Sequence, residues 1–202
     1  DRVLNQYQFP ATQFHNFTMP EDIYITRITE DPNENIWITT QGNGLFCYSK
    51  HRQQMTDLRW QGGNTPDKIV SVCIAHNQNI IVAGAKDIYT YVNEVFIPFG
   101  LSDIFPMLQK AEITECKIIG DKFWLILNVS KIMLVDTATT YPIKHTSFDE
   151  IYKGSHTLQE PRIIHQSDSN TVWIGSRSDG LLKVDIKNNV FEYSGAAGNY
   201  NY

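Results

Sequence analysis

The feature that most constrains this chain is a pattern that comes back. Residues 25–49 read ITRITEDPNENIWITTQGNGLFCYS, and residues 162–185 read RIIHQSDSNTVWIGSRSDGLLKVD. Each copy runs from a short apolar strand through a polar Asp/Asn turn to an apolar-Trp-Ile step. A small residue, a polar tetrad ending in Gly and a second alternating strand follow. Anchored on the Trp position, the pattern recurs at Trp37, Ile81, Trp124 and Trp173, at spacings of 44, 43 and 49 residues. The second element keeps step, opening at Leu45, Ile88, Ile132 and Leu181. A unit of about 40–45 residues holding several short strands has the period of a propeller blade. Such a unit cannot bury its apolar face alone, so neighbours must stack on it.

The fold class expected is therefore all-β, with about four four-stranded antiparallel blades. Residues 1–20 read as a weak strand, Val3 to Phe9, closing a preceding blade, followed by an aromatic-rich link. The four repeats fall at about 21–60, 67–99, 112–145 and 161–194, with a tail at 195–202. Within the third repeat the last strand is expected at Pro142 to His145. The link 100–112 carries Leu101, Ile104, Phe105 and Leu108 at helical spacing, a stripe suited to capping the core. The turn Asp31-Pro32-Asn33-Glu34-Asn35 has alternating Asp and Asn but neither the Gly nor the distal Glu of a calcium loop. It reads as a hairpin turn.

The first and last copies resemble the repeat of the two-component regulator propellers, found in the sensor regions of hybrid two-component histidine kinases. Ile28, Glu30, Asp31, Asn35, Ile36, Trp37, Ile38, Thr40, Gly44 and Leu45 match that repeat, as do Ile164, Trp173, Ile174, Gly175, Gly180, Leu181 and Asp185. Glu34 and Thr39 stand where glycines are expected, and Ile81 replaces a Trp. The resemblance spans roughly residues 21–194. It implies a periplasmic, ligand-sensing and non-catalytic module of a membrane-anchored signalling protein, attached to the membrane only through other parts of that protein. It also implies a piece of a larger, about seven-bladed propeller, whose full ring at this period needs about 300 residues. A closed four-bladed ring is the other possibility. A part-ring leaves strand edges and a blade face open, so the expected partners are the remaining blades or a second copy.

Composition narrows the function classes. A net charge of -5 and a pI near 5.6, with no Lys/Arg run longer than two, exclude the basic stripe a nucleic-acid binder needs. No apolar run approaches the about 18 residues that span a bilayer. Cys47, Cys73 and Cys116 form no CxxC pair and fall in strands of different repeats, where they read as small buried apolar residues. No GxSxG elbow, HExxH, Walker A or Rossmann glycine pattern occurs. No catalytic residue, metal site or cofactor is expected.

Loops of a propeller vary while its blades hold them rigidly, so ligands gather where the blade-to-blade links and the second-to-third-strand loops share a face. That face collects Gln41, Asn43, Trp60, Gln61, Asn64, Lys86, Asp87, Ser130, Lys131, Tyr152, His156, Arg177 and Asp179. The strongest candidates are Trp60, Arg177 and Asp179, followed by Gln41, Asn43, Tyr152 and His156. Trp60, flanked by Gly62-Gly63 and Pro66, either belongs to a binding loop or plugs a seam between blades. Polar and aromatic groups together suit an oligosaccharide or related small nutrient, whose hydroxyls take hydrogen bonds and whose C–H face stacks on a ring. Two other readings stay open. One is a protein-interaction scaffold. The other is an enzyme like the streptogramin lyases, whose repeats look similar, with His156 the histidine placed at the channel mouth.

Overall fold

The computed structural model describes residues 3–8, 13–19, 23–42, 44–58, 68–75, 77–137, 145–147, 158–188 and 190–194. The strands are short runs rich in apolar and β-branched residues, separated by tight turns, and each pairs with its sequence neighbour. The first sheet is β3 (Ile25–Glu30), β4 (Asn35–Thr40), β5 (Leu45–Ser49) and β6 (Gln54–Asp57), antiparallel throughout. The second holds β7 (Ile69–Ile74), β8 (Ile80–Gly84), β9 (Ile88–Val92) and β10 (Val95–Pro98). The third is β11 (Ile113–Ile119), β12 (Lys122–Leu127), β13 (Lys131–Asp136) and β14 (His145–Ser147). The fourth is β15 (Pro161–Gln166), β16 (Thr171–Ser176), β17 (Leu181–Asp185) and β18 (Val190–Ser194).

The internal repeat holds to the residue. Trp37, Ile81, Trp124 and Trp173 sit opposite Thr29, Cys73, Lys117 and His165, each four residues past the start of its sheet's first strand. Every first strand also carries the same irregularity, with the register slipping past Thr26, Val70, Thr114 and Arg162. A bulge of this kind bends and twists a strand, and here it recurs once per repeat. The first strands β3, β7, β11 and β15 lie side by side in chain order, so the sheets stack edge-inward around a common line.

Two segments differ from the sequence expectation. The opening residues form a hairpin, β1 (Val3–Gln8) with β2 (Gln13–Thr18), and not a strand plus link. Phe17 of β2 packs on Tyr48 with ring centroids 4.4 Å apart, which ties the aromatic stretch to the first sheet. The described last strand of the third sheet, His145–Ser147, pairs with Met133–Val135 and runs two residues beyond the expected Pro142 to His145, of which residues 142–144 lie outside the described residues. The expected helical stripe exists as two single turns, α1 (Leu101–Ile104) and α2 (Met107–Lys110). Leu101, Phe105 and Leu108 are buried against Ile81, Ile88 and Phe123, capping the second-to-third-sheet core.

The core lies between successive sheets. Trp37 with Ile69, Val72 and Phe96 fills the seam between sheets one and two, and Trp124 with Ile164, Val172 and Ile174 fills the seam between three and four. The fourth residue of each first strand faces the preceding sheet: Val72, Cys116 and Ile164 are all buried there. Their counterpart Ile28 is 52 % exposed among the described residues. At the other end Trp173, whose counterparts Trp37 and Trp124 are buried, is only half-buried.

Candidate functional site

One construction recurs at the face where the links meet the loops between second and third strands. The residue ending each second strand, or the one after it, donates its N–H to the residue just before the first strand of its own sheet. The bonds are Gln41 to Tyr24 O (2.8 Å), Ala85 to Lys68 O (2.9 Å), Asn128 to Glu112 O (2.9 Å) and Arg177 to Glu160 O (3.0 Å). Each link is thereby fastened to a loop, and the loops become the rigid rim of the link face.

Gln41 and Arg177 stand exposed on that rim. Asp179 is half-buried and accepts the Gln159 N–H at 2.6 Å, so it holds the link into the fourth sheet. Lys86 donates its ammonium to Ala111 O at 2.8 Å. Asp87 is buried and accepts N–H bonds from Ile88, Gly100 and Leu101 at 2.8, 2.8 and 2.9 Å. Burial pushes its carboxyl above the ordinary value even against those three bonds. It anchors α1 and is not free for a ligand. Ser130 accepts the Glu160 N–H at 3.3 Å, and Lys131 is exposed. Asn43, Trp60, Gln61, Asn64, Tyr152 and His156 lie outside the described residues.

Sequence reasoning missed two features of this face. Tyr24, 58 % exposed, stands at the end of the first link, where its carbonyl accepts the Gln41 N–H. Below the rim, Arg27 and Glu115 occupy the same repeat position, two residues into their first strands, but in sheets one and three. The two Arg27 guanidinium nitrogens donate to the two Glu115 carboxylate oxygens, one of them at 3.0 Å, making a two-pronged ion pair across 88 residues of sequence. The intervening counterpart is Ser71, small and buried, with its hydroxyl turned to Cys116 O at 3.3 Å. Glu115 is fully buried, while Arg27 keeps 29 % of its side chain exposed. Burial pushes the Glu115 carboxyl up, and the guanidinium across it offsets only part of that. A planar fork matched to a carboxylate is the strong form of such a pair. The recurring register was the signal: a charge at one repeat position answered by its opposite two repeats later.

At the opposite face, the Asp31 carboxylate is taken up by hydrogen bonds from its own turn and from the strand after it. It accepts from the Asn33 and Asn35 N–H groups (2.8 and 3.0 Å), the Asn35 amide (3.0 Å) and the Trp37 indole N–H (2.9 Å). In the fourth sheet Ser167 takes the same place under Trp173, at 3.2 Å. Where Ile81 replaces the Trp, the acceptor position is Ala75. In that sheet both side chains are missing, whereas the third sheet keeps Trp124 with Gly120 as the residue after its first strand.

The architecture has counterparts among solved structures. Two extracellular domains of hybrid two component systems of B. thetaiotaomicron match 90 % and 98 % of this chain, at 19 % and 13 % identity and TM-scores of 0.62 and 0.53. The chain folds as a run of β-propeller blades. A catalytically inactive virginiamycin B lyase from Staphylococcus aureus, solved with quinupristin, matches 97 % of the chain and 64 % of its own length at 14 % identity and a TM-score of 0.68. At these identities the likeness is one of fold. The chain spans about a quarter to a third of the length of the two extracellular domains, 23 % and 33 %. No family model and no curated protein matches it. Among the described residues no helix of the propeller is long and apolar enough to cross a membrane.

Proposed function

We propose that this propeller segment belongs to the periplasmic, ligand-sensing and non-catalytic region of a hybrid two-component signalling protein. Its link face takes an oligosaccharide or related nutrient. The observation that carries the reading is the link face itself. It presents exposed Gln41 and Arg177 on a rim fastened by four equivalent backbone bonds, with Tyr24, also exposed, at the end of the first link. Amide and guanidinium groups meet hydroxyls, and the ring offers the apolar platform a sugar face needs. Arg27, beneath the rim, adds a further donor at the floor. The fold likeness to extracellular domains of hybrid two component systems supports the setting. The exposed Ile28 and half-buried Trp173 at the two ends of the run support a larger propeller, in which further blades or a second copy cover them.

Titration calorimetry of the whole protein against an oligosaccharide panel tests this. One member binds, and Tyr24→Ala or Arg177→Ala weakens it at least tenfold. Failure of every glycan to bind, or equal affinity in both variants, overturns it. The likeness to a lyase favours a second reading, in which the same face is a reaction centre. Turnover of a bound ligand that is lost in His156→Ala would replace the sensor reading with that one.

A further inference from the structure

We propose that the seam between blades two and three is a binding site for a small planar aromatic molecule of about the size of indole, separate from the link face. The reasoning starts from the repeat. In the seams on either side, the anchor position carries Trp37 or Trp124, each buried against the next blade. Trp37 meets Tyr91 of blade two edge-on, ring centroids 5.4 Å apart. In the middle seam both partners shrink. Ile81 stands for the Trp, and Val135, opposite Phe123 as Tyr91 is opposite Ile80, stands for the Tyr. The indole's acceptor is gone as well, since Ala75 occupies the place that Asp31 and Ser167 hold elsewhere.

Leu101, Phe105 and Leu108 pack over Ile81 and Phe123, which are both buried, and the space left lies at the outer side of the seam. A pocket of about 290 Å³ remains, with Ile81, Phe99, Ile118 and Phe123 among its walls and Asn79 and Thr90 among its polar groups. Phe99 and Phe123 meet at 90° with centroids 5.4 Å apart, Phe123 buried and Phe99 half-buried at the wall of the space. The Asn79 side chain is exposed at the mouth of the pocket and Thr90 is half-buried, and neither side chain has a hydrogen-bond partner among the described residues. Apolar walls with a few convergent polar groups, near the about 300 Å³ lower end for small-molecule sites, suit a flat aromatic body with one polar substituent. The two neighbouring seams show how such a body sits there, because a tryptophan side chain already does. The pocket opens beside the hairpin at 75–79, at the opposite end of the strands from the link face, so ligand binding at one does not require the other.

The test is a methyl NMR titration of the whole chain, with isoleucine δ1 methyls labelled and indole as the probe. The Ile81 and Ile118 methyls shift saturably, whereas those of Ile126 and Ile174 in the Trp124-filled seam stay in place. Ile81→Trp restores the missing side chain, and at least a tenfold weaker response at Ile118, with a raised melting temperature, is expected. No saturable shift at Ile81 and Ile118 up to the solubility of indole overturns the proposal, as does a response to glucose but not to indole. The wild-type titration decides the matter even if the Trp variant fails to fold.

Discussion

Replacing Asp31 by Ala removes one carboxylate and four hydrogen bonds at once. The Trp37 indole N–H, 4 % exposed as a residue, loses its acceptor at 2.9 Å. Leaving a buried donor unpaired costs about 1–3 kcal/mol. The Asn33 and Asn35 N–H groups sit in a solvent-facing turn and are re-solvated, so each adds only about 0.5–1 kcal/mol. The expected total is about 2–5 kcal/mol, read by urea unfolding followed by far-ultraviolet circular dichroism. Trp37→Phe on its own loses packing as well as the bond, so the coupling is the sharper quantity. In a double-mutant cycle the two changes are non-additive by about 1–2 kcal/mol, because each removes the same bond. The pH dependence follows with a fixed sign. Burial raises the Asp31 carboxyl, but the bonds from Trp37, Asn35 and Asn33 outweigh it and hold it below its ordinary 3.8. Its contribution is therefore full above that value and lost as pH falls through the lower, folded one. A wild type that loses more stability than Asp31→Ala between pH 5 and pH 3 fits this account. A change within about 0.5 kcal/mol for Asp31→Ala, or strict additivity with Trp37→Phe, would refute it.

Further outcomes follow from other residues. Glu115→Ala strips the partner from Arg27 beneath the link face and is expected to cost about 3–5 kcal/mol by urea unfolding, whereas an apolar pair at both positions recovers most of it. Gly175→Ala places a Cβ 2.8 Å from Ile163 Cγ2, a methyl on a stiff β-branched side chain, so about 1–3 kcal/mol is lost and Ile163→Ala restores it. Burial pushes the Cys47 thiol up to about 12, so in the folded protein it resists iodoacetamide at pH 8 and reacts after unfolding.

The run of blades was legible in the sequence because a repeat multiplies its signal. A single NIWIT is a weak hint, but four copies in step fix the register of every inner hairpin, and Trp37, Ile81, Trp124 and Trp173 occupy one equivalent position. The segments that escaped are those the repeat does not govern. The hairpin at Gln13–Thr18 lacks strict alternation and is placed by the Phe17–Tyr48 contact, a tertiary effect. His145–Ser147 falls past the last position that the repeat pattern in the sequence dates. At the link face, sequence separates exposed Gln41 and Arg177 from nothing else, because Asp87 and Asp179 look equally polar on paper. Their roles depend on which backbone N–H groups point at them. The Arg27–Glu115 pair joins residues 88 apart, and only the superposition of repeats brings them to one level. The pocket at Ile81 is the converse lesson, since a departure from the repeat, unremarkable as an isoleucine, marks where a pocket lies beside the seam.

The central claim, that the link face receives the ligand, is tested most directly by hydrogen exchange on the whole protein with and without the oligosaccharide panel. The account predicts slowed exchange concentrated in the loops 41–44, 85–87, 128–130 and 177–180, with the hairpins 31–35, 75–79 and 167–171 unchanged. Slowing confined to those hairpins, or no change anywhere with any glycan, would contradict it.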